Sequence, residues 1–507
     1  MDQSQFENIP QEQFELVQRD DTIFDTKFET KPIGYFKDAL LRFRKNKASV
    51  VALVILVLMV IFAIFAPIFS PYGINDVEIE FKQAIPRIAL FEGTGFLDGT
   101  KEVTLNENDY LNYLNQPGYI VKLVKKKQTV KNGRKVNVYV CRVDVYAVGF
   151  KYETFTMEKI EEIQNYEKEK NVQILYPVFD IPGYYDTYTQ AQNANFYYQT
   201  MQDPALYENY NEMTPEEQKR IAVNNAPNYD ENGNIIPLYD PENPEYFRKN
   251  EASGSAECRI HYMEYYKMMH HGKTPTHLFG TNNQGQDIMT RLATGARFSL
   301  ILGVVVALIN IIIGICYGAI EGYYGGTVDL IMERVSDILS EIPMMIVAVL
   351  FNLYLSQKVG VIPSIGFAFI LTGWIGTASR VRMQFYRYKG QEYVLAARTL
   401  GARDSRLIFR HILPNAIGTI VTSCILMIPS VIFSESTLSY LGIIDLSTDM
   451  KITSVGTVLQ EGQGSLQNYP HIILFPALFI AILMVGFNIF GRGLRDALNP
   501  SLRGVEE

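Results

Sequence analysis

The sequence has few of the residues that metal and thiol chemistry require. Its 507 residues include four cysteines, six histidines and one tryptophan. No two cysteines have the close spacing of a zinc site or a redox pair. The histidines lack both a fixed helical spacing and nearby cysteine partners, so we expect no metal site. We interpret four of them as surface residues: His261, His270, His271 and His277.

A catalytic constellation is missing as well. The apolar segments contain no nucleophile beside a base and no carboxylate pair. Residues 270–274, HHGKT, resemble a phosphate-binding loop, but that motif needs a glycine five residues before its Gly-Lys pair. Lys267 stands at that position. The sequence therefore predicts that the chain is not an enzyme and binds no cofactor of its own.

Charge is unevenly distributed along the chain. The whole sequence has 46 basic and 54 acidic residues, for a formal net charge of −8. Residues 71–280 hold 22 basic and 30 acidic residues, whereas residues 42–70 hold four basic residues and no acidic one. The acidic total gives no reason to expect a nucleic-acid partner. The acidic total is compatible with contact with a membrane, because the apolar parts of the chain are net basic.

Long apolar segments are what the sequence does contain. Residues 48–69 form a run of 22 residues without a charge, which is long enough to cross a bilayer as a helix. It is too long and too far from the N-terminus for a signal peptide. With this first window, the sequence predicts six crossings, at residues 48–69, 298–320, 342–355, 361–378, 412–433 and 471–490.

The basic cluster at residues 42–47 places the start of the first crossing in the cytoplasm. Six crossings then put both termini inside and the loop 380–411 in the cytoplasm as well. That loop has eight basic residues against two acidic ones. The sequence thus predicts a multi-pass protein of the cell membrane. The basic cluster and the basic loop lie in the segments that this topology places in the cytoplasm.

The predicted domains follow from these windows. We expect a disordered cytoplasmic tail, an amphipathic helix with the first crossing, an extracellular insert of α+β type, the remaining crossings with their cytoplasmic loop, and a short C-terminal tail. Their respective bounds are 1–32, 33–70, 72–278, 279–500 with loop 380–411, and 501–507.

Within the insert, apolar residues alternate on both sides of residues 132–133, Asn-Gly, which predicts a β-hairpin. The alternation slips near Cys141, as a bulge would cause. A capping box at residues 214–217 predicts a helix. If the insert is extracellular, Cys141 and Cys258 are able to pair, and the sequence leaves paired and free thiols open.

The cytoplasmic loop contains the segment EYVLAARTLGARDSRLIFRHILPNA, residues 392–416. The spacing of its apolar residues predicts a short helix that breaks at Gly401 and a second segment that ends at Pro414. Small residues allow close approach of another protein, and the arginines offer contacts to its acidic groups. A loop that only obeys the positive-inside rule remains the alternative on composition alone.

This loop resembles the signature of ATP-binding-cassette importer permeases, in which Glu-Ala-Ala is followed by Gly and then by Leu-Pro. The matching residues are Ala396, Ala397, Gly401, Leu413 and Pro414, and Leu395 stands where the signature has Glu. The resemblance implies that the loop is a coupling helix seated on an ATPase subunit. The coupling residues it implies are Leu395, Ala396, Ala397, Arg398, Gly401, Ala402, Arg403, Leu413 and Pro414.

The resemblance extends to the second permease subunit of dipeptide and oligopeptide transporters. It covers residues 35–70 and 277–500, including GYYGGTVDLIMERVSDILSEIP, SESTLSYLG and FNIFGRGLRDALNP. It implies a type I importer permease fold, all-α and polytopic with six transmembrane helices, in a bacterial cell membrane. The implied partners are a second permease in a heterodimer, two ATP-binding subunits that hold ATP and magnesium, and an extracellular substrate-binding lipoprotein that delivers peptides.

Two features of the crossings are candidates for other roles. Gly314, Gly318 and Gly322 form consecutive small-xxx-small steps, which predict close helix packing. Glu435 lies near the outer end of the fifth crossing, and the sequence leaves two interpretations open: a residue of the translocation path, or an interfacial residue beyond the apolar core. Pro429 is expected to kink that helix.

Other functions also remain open at this point. The related permeases include carriers of nickel and of opines. A membrane-anchored extracellular receptor would explain the insert but needs fewer crossings. A secondary transporter would need polar groups within its spans or an inverted repeat, and the sequence shows few of the former and no evident repeat.

Overall fold

The computed structural model describes residues 35–106, 109–110, 113, 118–131, 134–176, 248–250, 254–444, 446 and 452–498. The chain enters through helix α1, Tyr35–Lys45, and turns at Asn46 into helix α2, Lys47–Phe69. The Asn46 side chain caps α2 by accepting a hydrogen bond from the Ser49 amide at 3.2 Å. Leu40 and Leu41 of α1 are exposed, as expected for a helix that lies on a membrane surface.

The insert begins with an antiparallel sheet of three strands in the order β1-β3-β2. Strand β1 is Thr100–Asn106, β2 is Ile120–Lys131 and β3 is Arg134–Asp144. Lys131 pairs with Arg134, so β2 and β3 form the hairpin that the Asn-Gly pair predicts. The register shifts opposite Cys141, but the extra residues are on β2 rather than on the strand of the cysteine.

A second antiparallel sheet follows. Its strands are β4, Phe150–Thr156, β5, Leu175–Tyr176, β6, Arg248–Asn250, and β7, Ser255–His261. Strand β7 is central and pairs with the other three. Helix α3, Met157–Lys170, packs its isoleucines on this sheet, and helix α4, Tyr262–Met269, leads back toward the apolar helices. The helix predicted at residues 214–217 lies outside the described residues.

The two cysteines of the insert are free thiols in separate cores. Cys141 lies on β3 among Leu105, Tyr139 and Val143, whereas Cys258 lies on β7 under helix α3. Both are fully buried and neither is bonded to the other. Burial raises the pKa of the Cys258 thiol to about 12. The structure therefore selects free thiols, because each side chain points into the core of its own sheet.

The apolar helices follow the insert. Helix α5 is Ile288–Tyr324, α6 is Gly326–Ser340, and α7, Met344–Leu350, continues through a π-helical turn into α8, Ser356–Val359. The remaining helices are α9 Val361–Gly373, α10 Ile375–Tyr388, α11 Glu392–Thr399, α12 Asp404–Arg406, α13 Leu413–Cys424, α14 Met427–Tyr440, α15 Val455–Gly462 and α16 His471–Leu498.

Within the described residues, four helices are long and apolar enough to cross a membrane. They are Lys47–Phe69, Ile288–Tyr324, Val361–Tyr388 and His471–Leu498. Two further spans are bent helix pairs, Gly326–Ser340 with Met344–Val359 at 72° and Asp404–Thr422 with Met427–Tyr440 at 45°. Counting each pair as one span gives the six predicted crossings.

Proline explains both bends. Pro343 stands at the break between α6 and α7. Pro429 has no amide hydrogen for the carbonyl of Ile425, and the chain breaks between α13 and α14 around that residue. The kink predicted from Pro429 is thus present, displaced toward the N-terminus by one turn.

Helix α5 is the centre of the helical part. Its small residues let neighbouring helices approach closely, since a Cβ at Gly303 would come within 2.7 Å of the Ile432 side chain on α14. Farther along, Gly314, Gly318 and Gly322 face α10, and a Cβ at Gly318 would lie 2.2 Å from the Ala378 carbonyl oxygen. These three glycines therefore permit a backbone contact that no larger residue would allow.

Candidate functional site

The candidate site is the segment of residues 392–414, which we call the coupling segment. Helix α11 provides its first part and ends at Gly401, which has a φ of +84°. The Ala402 amide donates to the Ala397 carbonyl at 3.1 Å, and the Gly401 amide donates to the Arg398 carbonyl at 3.0 Å. This pattern is a Schellman C-cap, which favours glycine at the left-handed position. The helix break predicted at Gly401 is present for this reason.

The second part of the coupling segment differs from the prediction. After α12, a π-helical turn at Leu407–Ile412 runs directly into α13. Pro414 lies in the first turn of α13, a position at which proline is common. The predicted second segment therefore does not end at Pro414, because this proline starts the next helix instead of stopping one. The predicted loop also begins later, since residues 380–388 belong to α10.

One side of the coupling segment is anchored in an apolar core. Val394, Leu407 and Ile412 are completely buried there against Tyr323 of α5 and Phe385 of α10. Residues from three helices thus meet around the segment and hold it on the ends of α5, α10 and α13. Three of the predicted coupling residues are partly buried against this core: Ala397, Ala402 and Leu413.

Hydrogen bonds fix the same anchor. The Tyr323 hydroxyl donates to the Asp404 carboxylate at 2.6 Å, and an Arg398 nitrogen donates to the same hydroxyl at 3.3 Å. The Lys389 ammonium donates to the Gly322 carbonyl at 2.9 Å, near the C-terminal end of α5. The coupling segment is therefore attached to α5 by polar as well as apolar contacts.

The opposite side of the coupling segment is exposed and apolar. Leu400 is 88% exposed and Leu395 is 46% exposed, and Phe409 lies beyond them at 51%. Leu395, at the position of the signature Glu, faces outward. The other predicted coupling residues that are exposed are Ala396, Arg398, Gly401, Arg403 and Pro414. Exposed leucines among arginines are typical of a surface that binds another protein.

A second cluster joins α10 to α6 close to the coupling segment. The Arg382 guanidinium donates to Asp329 at 2.5 and 2.8 Å and to Glu333 at 2.8 and 3.1 Å. The Tyr386 hydroxyl also donates to Asp329, at 2.6 Å. Sequence reasoning counted Arg382 as one more basic residue of the loop and missed this pairing, because the partners lie about fifty positions away. The positive charge of Arg382 is therefore balanced by acidic residues of the same chain.

Glu435 lies in a cage of hydroxyl groups at the contact between α5 and α14. Its side chain is completely buried. Ser299 and Ser439 each donate a hydrogen bond to the carboxylate at 2.9 Å, and Ser436 donates a longer one at 3.4 Å. The carboxylate is therefore held inside the helical bundle and is not at its surface. Its role in a translocation path stays a prediction.

At the other end of α5, the structure corrects the interpretation of His277 as a surface residue. His277 is buried, with its ring 3.0 Å from an Asp287 oxygen and 2.9 Å from a Glu78 oxygen. Burial alone would lower the pKa of His277, but the two carboxylates outweigh it and raise the pKa above its usual value. Asp287 also caps α5 by accepting from the Thr290 amide, so these contacts attach the insert to α5.

Comparisons with known proteins agree with this geometry. Residues 310–504 match the family described as the binding-protein-dependent transport system inner membrane component. Residues 34–86 match the N-terminal transmembrane domain of oligopeptide transport permease C. The insert between β1 and β7 lies between these two matched ranges. The first match includes the whole coupling segment.

Individual relatives are similar over the same parts. The chain is 45% identical to the oligopeptide transport system permease protein OppC of Bacillus subtilis over 227 residues, which are 45% of this chain and 72% of that protein. It is 41% identical to the dipeptide permease protein DppC of the same organism, over 45% of this chain and 69% of that protein. The DppC protein of Lactococcus lactis is 36% identical, over 53% of this chain and 75% of its own length.

Proposed function

This chain belongs to the permease proteins of oligopeptide and dipeptide transport systems, and we propose that it forms half of a translocation path for peptides through a bacterial cell membrane. It is a multi-pass transport component and not an enzyme. The other half of the path is a second permease subunit. Two ATP-binding subunits hold ATP and magnesium, and an extracellular substrate-binding lipoprotein delivers the peptide. The membership of the family also argues against a receptor that uses the helices only as an anchor.

The observation that carries this proposal is the two-sided coupling segment. Its inner side is fixed to α5 and α10 through Val394, Tyr323 and Asp404. Its outer side offers exposed leucines and arginines to a partner. A docked ATPase that moves on closing therefore pulls on the ends of α5, α10 and α13 together. Movement of packed helices about such a contact is a known way to switch between two states.

Peptides are the proposed substrates because both kinds of relative are named for peptide transport. The test is to reconstitute the complex of both permeases and both ATPases in liposomes and to add the binding lipoprotein with labelled substrate. We expect ATP-dependent accumulation of a labelled dipeptide or oligopeptide. Accumulation of nickel or of an opine, with no peptide uptake, would show that the chain serves a related transporter instead.

The proposed orientation has both termini and the coupling segment in the cytoplasm and the insert outside. It is supported by the four basic residues that precede and begin α2. In a cysteine-free background, a cysteine replacing exposed Gln128 of β2 is expected to react with an impermeant maleimide on intact cells. A cysteine replacing exposed Ser405 is expected to react only after permeabilisation. Labelling of Ser405→Cys but not Gln128→Cys on intact cells would invert the topology.

A further inference from the structure

The sheet β1-β3-β2 of the insert has one covered face and one open face. The covered face packs Leu105, Tyr139, Cys141 and Val143 into a core. Since side chains alternate along each strand, the residues between these point away from that core. On β1 the alternate residues Glu102, Thr104 and Asn106 are indeed exposed. Residue 95 packs against Arg142 at one end of this face, since a Cβ at Gly95 would overlap the Arg142 side chain, whereas the strand β2 side of the face is exposed in the described part of the chain.

Lysines line the open face along β2. Lys127 stands opposite Val138, Lys125 opposite Val140, and Lys122 opposite Arg142. All three lysines are exposed, whereas the valines of the central strand are half-buried. The open face thus has an apolar stripe in the centre, cations along one edge, and short polar residues of β1 along the other. We call it the basic face.

The lysines of this face lack acidic ion-pair partners in the part of the insert that the structure describes. Within the described residues, no carboxylate forms an ion pair with Lys122, Lys125 or Lys127. Glu102, which stands opposite Arg142 on β1, is the nearest acidic position in the register. The insert as a whole has 22 basic and 30 acidic residues. A cationic face on an acidic domain concentrates the positive potential at one place.

We propose that the basic face is a docking surface for a folded protein with an acidic face. An apolar centre with a charged rim is the composition of protein interfaces. Strand spacing and rise make the face on the order of 400 Å², which is roughly half of what one partner contributes to a standard stable interface. The face therefore suits a partner that binds and leaves repeatedly.

We identify the partner with the acidic face as the peptide-delivering lipoprotein. This identification rests on the proposed function. The insert leaves α2 and returns into α5, so its two attachments hold it beside the helices that form the proposed path. Because the lysines lie at the rim, their charge acts mainly on the rate of encounter and on its dependence on salt. Binding should weaken as added salt screens these charges.

The test uses the complete transporter in lipid nanodiscs and the purified peptide-binding lipoprotein as the probe. The variant Lys122→Glu, Lys125→Glu, Lys127→Glu changes the charge of the basic face from positive to negative. At low ionic strength we expect it to bind the lipoprotein about tenfold or more weakly, and at about 0.5 M salt the difference should largely disappear. Equal thermal unfolding of both complexes would show that the variant is folded.

Two controls isolate the position of the charge. The variant Lys168→Glu, Lys170→Glu, Lys273→Glu makes the same charge change at exposed sites elsewhere on the insert, and it should bind like the unmodified complex. Replacing the three lysines of the basic face with arginine should also preserve binding and its salt dependence.

Two results would overturn the proposal. One is lipoprotein binding by the charge-reversed variant with unchanged affinity and salt dependence, while peptide uptake continues. The other is loss of attachment to phosphatidylglycerol vesicles without loss of lipoprotein binding, which would make the face a lipid-binding surface. Absence of peptide uptake by the unmodified complex would instead contradict the proposed function, so the two failures are distinguishable.

Discussion

Replacing Gly401 with leucine is expected to remove most ATP-driven peptide uptake while the chain still folds in the membrane. Gly401 has a φ of +84°, and an added Cβ would meet nothing within 4 Å in this subunit. The substitution therefore creates no internal clash. It forces a β-carbon into the left-handed region, at a cost of about 1–2 kcal/mol, and places bulk on the exposed side of the coupling segment. Both effects act where the ATPase is proposed to dock.

The measurements are uptake and ATP hydrolysis in reconstituted complexes. We expect uptake to fall about tenfold or more, which corresponds to roughly 1.4 kcal/mol, with hydrolysis no longer stimulated by the loaded binding lipoprotein. Gly401→Asn separates the two effects, since asparagine tolerates the left-handed conformation, and it should retain more activity than leucine.

A matched control is available in the same region. Gly390 lies just before α11, is exposed, and has nothing within 4 Å of an added Cβ. No left-handed φ is required there, so Gly390→Leu should leave uptake nearly unchanged. Normal transport by Gly401→Leu would show that the coupling segment does not transmit the work of the ATPase.

Replacing Gly318 with alanine is expected to destabilise the helical bundle although only one methyl group is added. The new Cβ would lie 2.2 Å from the Ala378 carbonyl oxygen and 2.9 Å from its Cα. Backbone atoms of α10 cannot turn aside as a flexible side chain can, so α5 and α10 must separate. Overpacking typically costs about 1–3 kcal/mol, and a backbone clash belongs at the upper end.

Thermal unfolding of the detergent-purified subunit measures this effect. Gly366 of α9 provides the comparison, because an added Cβ there meets nothing within 4 Å. Gly366→Ala should be neutral or stabilising by up to about 1 kcal/mol, since alanine is the better helix former. A Gly318→Ala protein as stable as Gly366→Ala would show that α5 and α10 do not pack through these glycines.

The features that local sequence patterns determine were predicted well. The uncharged run of residues 48–69 is helix α2 to within one residue at its start, and Lys131 and Arg134, which flank the Asn-Gly pair, are paired in the hairpin of β2 and β3. The break predicted at Gly401 is present, because glycine is favoured at a left-handed helix cap. In each case a few neighbouring residues contain the whole physical cause.

The features that depend on distant partners could not be predicted. His277 is buried because Glu78 meets it from the start of the insert, almost two hundred residues earlier. Arg382 is paired because α6 crosses α10 at Asp329. The sequence shows which residues are charged, but it does not show which residues lie next to them in the fold. Pro414 was misinterpreted for a related reason: a proline ends one helix or begins another, and the residues next to it in the sequence do not decide between these two outcomes.

Helix α5 has a consequence for how the two faces of the membrane communicate. Its 37 residues span about 55 Å, nearly twice the roughly 30 Å thickness of the hydrocarbon layer. Its first turn is capped by Asp287, which contacts His277, and its last turn provides Tyr323, which contacts Asp404. One unbroken rod therefore touches the base of the insert at one end and the coupling segment at the other. Any tilt or axial shift of this rod displaces both ends at once, without a relay of intermediate side chains.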